Sequence, residues 1–164
     1  MKKTILFCLL ALAVFLPSCN EENTENDAAY SQMLHGTWML QSTLSDKSVV
    51  TEIFQFKGDE FRYTYSITDE NAVKSKDKIV SGAWNVKRST LQLKYDLSTV
   101  ECIGCKPEEA RQFELDLKAW NANLEYQNKK GRVHGLAILE FTKVNGRTCM
   151  RLYGYNNLFE QISY

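Results

Sequence analysis

The 164-residue chain has no excess of charge of either sign, which argues against a nucleic-acid-binding surface. It contains 20 basic and 20 acidic residues. Residues 1–18 include Lys2 and Lys3 and no acidic residue, so the remainder has 18 basic and 20 acidic residues and a net charge of −2. Basic patches that bind phosphate backbones are therefore not expected, and no nucleic-acid partner is predicted.

Recognisable catalytic motifs are also absent. The sequence contains no Gly-x-Ser-x-Gly motif, no phosphate-binding glycine loop and no paired-histidine metal motif. It has two histidines, His35 and His134, and neither lies beside a nucleophile motif. We interpret both as surface or rim residues. The sequence predicts no cofactor and no enzyme activity, apart from the thiol chemistry considered below.

Residues 1–19 have the pattern of an export signal. Two lysines precede an apolar run of twelve residues, Ile5 to Leu16, which is too short to span a bilayer. The ending Leu16-Pro17-Ser18-Cys19 resembles the lipobox of Bacteroidetes-type bacterial lipoproteins. This resemblance implies that Cys19 is acylated and anchors the chain in a membrane. A plain signal peptide that is cleaved near Cys19 is the alternative.

The next segment is acidic and poor in apolar residues. Four acidic residues and no Lys or Arg occur between Asn20 and Gln32, a composition that predicts a disordered tether. The beginning of this segment, Cys19 to Asn23, resembles the acidic export signal of some surface lipoproteins, although a solvated spacer is the alternative. The resemblances imply an outer-membrane lipoprotein that faces the periplasm or the cell surface. We therefore divide the chain into a signal peptide (1–18), an acylated cysteine with its tether (19–32) and one domain (33–164).

Apolar and polar residues alternate through most of that domain, which predicts β-strands. The expected strands are Thr37 to Leu44, Glu52 to Lys57, Glu60 to Thr68, Ile79 to Lys87, Thr90 to Thr99, Val133 to Val144 and Arg147 to Tyr155, with one more edge strand in the tail. A polar loop is expected from Asp69 to Asp77. Asn145-Gly146 is a strong hairpin signal.

The period changes after the fifth strand. Apolar residues there recur at intervals of three and four, at Ala110, Phe113, Leu117, Trp120 and Leu124. Pro107 suits a first helical turn and Lys129-Lys130-Gly131 suits an end, which predicts a helix from about Glu108 to Lys129. The predicted fold is mainly β: an antiparallel barrel of about eight strands with one long helix inserted after the fifth strand. An open sheet around the helix is the alternative.

The first strands resemble the lipocalin family. Gly36-Thr37-Trp38 matches the Gly-x-Trp signature of the first lipocalin strand, and residues 82–93 resemble the fourth-to-fifth strand pattern of lipocalin-like domains in Bacteroidetes lipoproteins. The resemblance covers about Leu34 to Leu97. It implies a lipocalin-like barrel that holds a small ligand. The inserted helix departs from the family order, in which the helix follows the barrel.

Aromatic side chains dominate the positions that would face the inside of such a barrel. Small barrels are either filled by such side chains or hold one small ligand among them. The ligand-lining candidates are Trp38, Phe54, Phe56, Phe61, Tyr63, Tyr65, Trp84 and Tyr95. An aromatic lining favours a flat or acyl ligand, with core packing as the alternative interpretation of the same residues.

Cys102-Ile103-Gly104-Cys105 lies between the fifth strand and the helix. In an exported protein such a pair is typical of a structural disulfide, while thiol redox exchange and metal binding are alternatives. A metal would need further ligands from Cys149, His134 or His35. The function predicted overall is binding of a small apolar or aromatic ligand by a membrane-anchored lipoprotein. The alternatives are a filled barrel that acts as an envelope interaction module, and redox or metal handling at the cysteine pair.

Overall fold

The computed structural model describes residues 21–71 and 73–163, which form two helices and eight strands. Cys19 and the predicted signal peptide lie outside the described residues. The helices are α1 (Glu21–Leu34) and α2 (Pro107–Lys129). The strands are β1 (Gly36–Thr43), β2 (Val49–Lys57), β3 (Glu60–Thr68), β4 (Lys74–Lys87), β5 (Thr90–Ile103), β6 (Leu136–Val144), β7 (Arg147–Leu152) and β8 (Phe159–Ser163).

The strands form one antiparallel sheet that closes in a ring, in the order in which they occur along the chain. Each strand pairs with the next, and β8 pairs with both β7 and β1. The tail strand is therefore the closing strand of the ring and not the edge strand that the sequence predicted. The predictions of a mainly β fold with eight antiparallel strands and a long helix after the fifth are confirmed.

The alternation of apolar and polar residues along the strands determines which side chains form the inner face of the ring. In β3 the inward positions include Phe61 and Tyr63, which lie opposite Phe56 and Phe54 of β2. The predicted bounds of β3 are those observed. Strand β4 begins at Lys74, within the predicted loop 69–77, because the Asp69 carboxylate accepts the backbone N–H groups of Asn71 and Val73 and closes a shorter turn.

Two of the hairpin turns place two consecutive residues in the left-handed backbone region. Asn145 and Gly146 have φ angles of 51° and 80°, as an Asn-Gly hairpin requires. Arg88 and Ser89 adopt φ angles of 51° and 54° without a glycine. The carboxylate of Asp27 on α1 accepts the N–H groups of both, at 2.7 Å each, which stabilises a turn that the sequence itself disfavours.

Helix α1 replaces the disordered tether expected for residues 19–32, so that prediction is wrong for residues 21–32. The helix is held by contacts with distant parts of the chain. Asp27 binds the β4–β5 turn, Tyr30 packs on Phe141 with ring centroids 5.5 Å apart, and Leu34 is fully buried. Local composition could not reveal these partners, because the turn lies 61 and 62 positions further along the chain.

The first strand begins where the lipocalin resemblance placed it. Gly36 has a φ of 114°, a backbone conformation that favours glycine. This bend lets the fully buried Trp38 donate its indole N–H to the carbonyl oxygen of Leu34, at 2.7 Å. Helix α1 and strand β1 are thereby joined at a packed end of the core.

Helix α2 covers the part of β5 that β6 leaves uncovered. Strands β5 and β6 pair at two positions, Thr90 with Ala137 and Leu91 with Leu136. Beyond them, Asn121 of α2 hydrogen-bonds the backbone of Tyr95. The predicted apolar stripe packs inward, with Phe113, Leu117 and Leu124 buried and Trp120 half-buried. The helix therefore forms one wall of the space inside the ring.

Candidate functional site

A cavity of about 290 Å³ lies between helix α2 and the inner face of the ring, and we call it the inner cavity. It is lined by Phe54, Tyr63, Tyr95, Phe113, Asp116, Leu117, Trp120, Leu136 and Tyr155. Six of the nine lining residues are aromatic. The volume corresponds to about ten water molecules at liquid density, so the cavity suits a small ligand.

Helix α2 supplies the outer wall of the cavity and is fixed to β5 by side-chain hydrogen bonds. The Trp120 indole N–H donates to the Leu93 carbonyl oxygen at 2.7 Å, which orients the ring between Tyr95 and His134. Below it, Phe113 and Leu117 pack on Val80, a fully buried β4 residue on the inner face. The part of the wall that Phe113, Leu117 and Trp120 form is thus built on a helix.

A carboxylate lies among the tyrosines of this site. Glu52 occupies an inward position of β2, and its Oε2 accepts hydrogen bonds from the Tyr63 hydroxyl at 2.7 Å and the Tyr155 hydroxyl at 3.3 Å. Burial raises the pKa of Tyr63, Tyr95 and Tyr155, and the negative charge of Glu52 raises each pKa further. All three phenols therefore remain protonated well above the pH at which an ordinary tyrosine ionises.

Three of the eight predicted lining residues lie on the cavity: Phe54, Tyr63 and Tyr95. Four others belong to the packed core of the ring, namely Trp38, Phe56, Phe61 and Trp84, each with less than a tenth of its surface exposed. The remaining candidate, Tyr65, lies opposite Glu52 in the pairing of β2 and β3. The Lys78 ammonium lies 5.8 Å from its ring centroid. The filled part of the ring and the cavity thus account for seven of the eight predicted residues, and Tyr65 belongs to neither.

Sequence reasoning missed Glu52, Asp116, Trp120 and Tyr155 as parts of the site. Glu52 carried a usable signal, because it is a charged residue at an inward position between Val50 and Phe54. Trp120 was predicted as part of the helix stripe without a role. The sequence placed Tyr155 at the end of a predicted strand, Arg147 to Tyr155, but β7 ends at Leu152 and Tyr155 lies in the loop that follows.

A second concavity lies along β2 to β5, and we call it the outer groove. It has a volume of about 1300 Å³. Its charged lining residues are Lys57, Asp59, Glu60, Arg62, Lys94 and Asp96, and Phe56, Phe61 and Tyr95 also line it. The groove therefore combines charges of both signs with apolar surface.

The cysteine pair lies at the junction of β5 and α2. The Sγ atoms of Cys102 and Cys105 are 1.99 Å apart, at disulfide distance. Cys149 is a buried free cysteine on β7. Within residues 21–71 and 73–163, no group of three or more His, Cys, Asp or Glu side chains could hold a metal ion. The structure therefore does not bring Cys149, His134 or His35 to the pair as further ligands.

The two histidines pack against tryptophans. The His35 ring lies 5.5 Å from that of Trp84, and the His134 ring lies 4.7 Å from that of Trp120. His134 Nε2 also lies 3.3 Å from the Asn123 side-chain amide. These contacts are structural.

No protein-family model, curated protein or solved structure matches the chain. None of the helices within the described ranges is both long enough and apolar enough to cross a membrane.

Proposed function

We propose that the chain is a membrane-anchored lipoprotein whose ring of strands is a lipocalin-like barrel, and that it binds a small apolar or aromatic ligand. The observation that carries the proposal is the inner cavity, with its six aromatic lining residues. Burial of apolar ligand surface against such a lining contributes roughly 25 cal/mol per Å². Two of the remaining candidates support the site by packing on its lining, since Phe56 contacts Phe54 and Phe61 contacts Tyr95.

Native mass spectrometry tests the binding proposal. The full chain carrying Cys19→Ser, incubated with a lipid extract of a bacterial envelope, is expected to retain a small adduct of reproducible mass. Leu136→Trp places an indole in the inner cavity and should abolish the adduct, because Leu136 lines that cavity. The matched control is Leu139→Trp on the same strand, where the side chain is 52% exposed and the adduct should persist. A bare mass for the unsubstituted chain would contradict the proposal.

The anchor is a separate part of the proposal and rests on the sequence of residues 16–19. Acyl chains contribute about 0.8 kcal/mol per buried methylene, so an acylated Cys19 would hold the protein on the outer membrane. Labelled palmitate should be incorporated into the chain and lost in Cys19→Ser. Protease accessibility on intact cells then distinguishes a periplasmic from a surface orientation.

The outer groove favours a second candidate, a module that binds a partner protein in the cell envelope. Its exposed charged residues can form polar contacts across an interface. Reversing the charges of Arg62 and Lys94 together should then remove a cross-linked partner from intact cells without affecting the small-molecule adduct. Loss of the adduct with retention of the partner would instead favour the inner cavity.

A further inference from the structure

The hydroxyl protons of two tyrosines in the inner cavity point to a carboxylate rather than into the cavity. Tyr63 and Tyr155 each donate a hydrogen bond to Oε2 of Glu52. A phenol has one proton to donate. Because both protons are engaged by Glu52, the two phenol oxygens can only accept hydrogen bonds from a molecule that enters the cavity.

The other polar groups of the lining also offer more hydrogen-bond acceptors than donors. The Trp120 N–H is already engaged by the Leu93 carbonyl oxygen, and the Asp116 carboxylate can only accept. The Tyr95 hydroxyl has no hydrogen-bond partner among the described residues and can therefore donate. One donor thus faces three acceptor groups, an arrangement that is complementary to a ligand whose polar end donates hydrogen bonds.

The charged group in the described cavity lining is the carboxylate of Asp116, and the carboxylate of Glu52 lies behind two of the tyrosine hydroxyls. No lysine, arginine or histidine occurs in the described lining, and Glu52 takes part in none of the ion pairs between described side chains. Lys76 is paired with Glu109 at 2.5 Å, and the Lys78 ammonium lies 5.3 Å from the ring centroid of Phe113. A cation that entered the cavity would therefore meet two carboxylates, Asp116 and Glu52, that form no ion pair with another described side chain.

Aromatic rings provide the rest of the surroundings that a cation requires. The faces of Tyr, Trp and Phe rings attract a cation, most strongly when the site is desolvated. Tyr63, Tyr95, Trp120 and Tyr155 all contribute rings to the lining, and Phe54 closes it from β2.

We infer that the occupant of the inner cavity is a small organic cation, in which a protonated amine donates hydrogen bonds to the oxygens of Tyr63 and Tyr155. Its flat or apolar body lies against Trp120, Phe54 and Leu117. Glu52 acts as a positioning residue that fixes the direction of both hydroxyls and supplies negative charge behind them. This inference rests on the proposed function, because it names the chemical class of ligand for the same cavity.

Three probes with one aromatic ring and different charge test the inference on the full chain carrying Cys19→Ser. They are 2-phenylethylamine, 2-phenylethanol and 3-phenylpropanoate, measured by isothermal titration calorimetry. The amine is expected to bind at least about tenfold more tightly than the alcohol, and the carboxylate most weakly. In Glu52→Gln the preference for the amine over the alcohol should fall by about tenfold, because the negative charge behind the two hydroxyls is lost while an oxygen acceptor remains.

The matched control is Glu60→Gln on β3, an exposed position that faces outward. It should leave the order of the probes unchanged. If Glu52→Gln does not fold, as judged by near-ultraviolet circular dichroism, the probe order on the unsubstituted chain decides the question alone.

The failures of the inference and of the proposed function are distinguishable. Equal or tighter binding of the alcohol or the carboxylate overturns the inference and leaves a small-molecule site in place. Absence of binding by all three probes also overturns the inference, while the adduct from the envelope extract, with its Leu136→Trp and Leu139→Trp variants, decides the proposed function separately.

Discussion

Asn121 on helix α2 hydrogen-bonds both backbone polar groups of Tyr95 on β5. Its Oδ1 accepts the Tyr95 N–H at 3.0 Å, and its Nδ2 donates to the Tyr95 carbonyl oxygen at 2.8 Å. A neighbouring strand would make the same two bonds. The side-chain amide therefore takes the place of β6, which pairs with β5 only at Thr90 and Leu91. Because the Asn121 amide makes the hydrogen bonds of a neighbouring strand, a helix can be part of the wall of the ring.

Replacing this amide should weaken the attachment of α2 to the sheet. Asn121→Ala leaves the Tyr95 N–H and carbonyl without their partners, and we expect the free energy of unfolding to fall by about 1 to 3 kcal/mol in urea denaturation. Glu125→Ala, at an exposed position on the same helix, should cost less than about 0.5 kcal/mol. Equal losses in the two variants would show that the paired amide contributes nothing specific.

The attachment of α1 gives a second prediction. Asp27→Ala removes the acceptor of the Arg88 and Ser89 N–H groups, so the left-handed turn loses its stabilisation and α1 its contact with the ring. We expect a loss of about 1 to 3 kcal/mol in urea denaturation, since hydrogen bonds to a charged group are the strong ones. Limited proteolysis should also cut residues 21–34 faster.

Asn26→Ala is the matched control for that variant. Asn26 is exposed and precedes Asp27 in the same helical turn. It should change neither the free energy of unfolding nor the rate of cleavage. Unchanged proteolysis in Asp27→Ala would mean that α1 is held by Tyr30 and Leu34 alone.

The sequence was sufficient for the features that depend on local pattern. The alternation in residues 60–68 located β3, the spacing from Phe113 to Leu124 located α2, and Asn145-Gly146 located a hairpin. Each is visible within about ten residues, because side-chain periodicity follows directly from strand and helix geometry.

The remaining features depend on pairs of residues that are distant in sequence. Helix α1 is attached through Asp27 to a turn 61 and 62 positions away, and Glu52 meets Tyr155 across 103 positions. Composition cannot encode such pairings, so an acidic segment was taken as a tether and the carboxylate inside the ring was overlooked. The division of the aromatic residues between core and cavity likewise depends on where α2 lies.

The cysteine pair gives a third prediction, a count of thiols. In denaturant, reduction of the full chain should raise the number of titratable thiols by two, because Cys102 and Cys105 are at disulfide distance. The variant with Cys102→Ser and Cys105→Ser should show no increase. Closing so short a loop stabilises the fold by at most about 2 kcal/mol in the chain-entropy model, so the variant should still fold. If reduction does not raise the number of thiols in the unsubstituted chain, the disulfide is contradicted. Thiol redox exchange and metal binding then return as the alternatives.

The buried tyrosines predict how stability depends on alkaline pH. Burial, assisted by Glu52, raises the pKa of Tyr63, Tyr95 and Tyr155 in the folded chain. Above the ordinary tyrosine pKa of about 10, the unfolded chain therefore releases phenol protons that the folded chain retains. Below that pH both states hold these protons, so the three tyrosines do not change the free energy of unfolding. Above that pH the unfolded state binds fewer protons than the folded state. The free energy of unfolding therefore falls as the pH rises, by up to about 1.4 kcal/mol per pH unit for each tyrosine.

Tyr95→Phe tests this dependence with little disturbance, since the Tyr95 hydroxyl has no hydrogen-bond partner among the described residues. Urea denaturation between pH 9 and pH 11 should show a smaller decline in this variant than in the unsubstituted chain. Tyr126→Phe, at a side chain that is 57% exposed, should leave the decline unchanged. Identical pH dependence in all three chains would mean that Tyr95 ionises as readily in the folded as in the unfolded state. The wall of the inner cavity at β5 would then be open to water, and an apolar ligand would gain little by entering it.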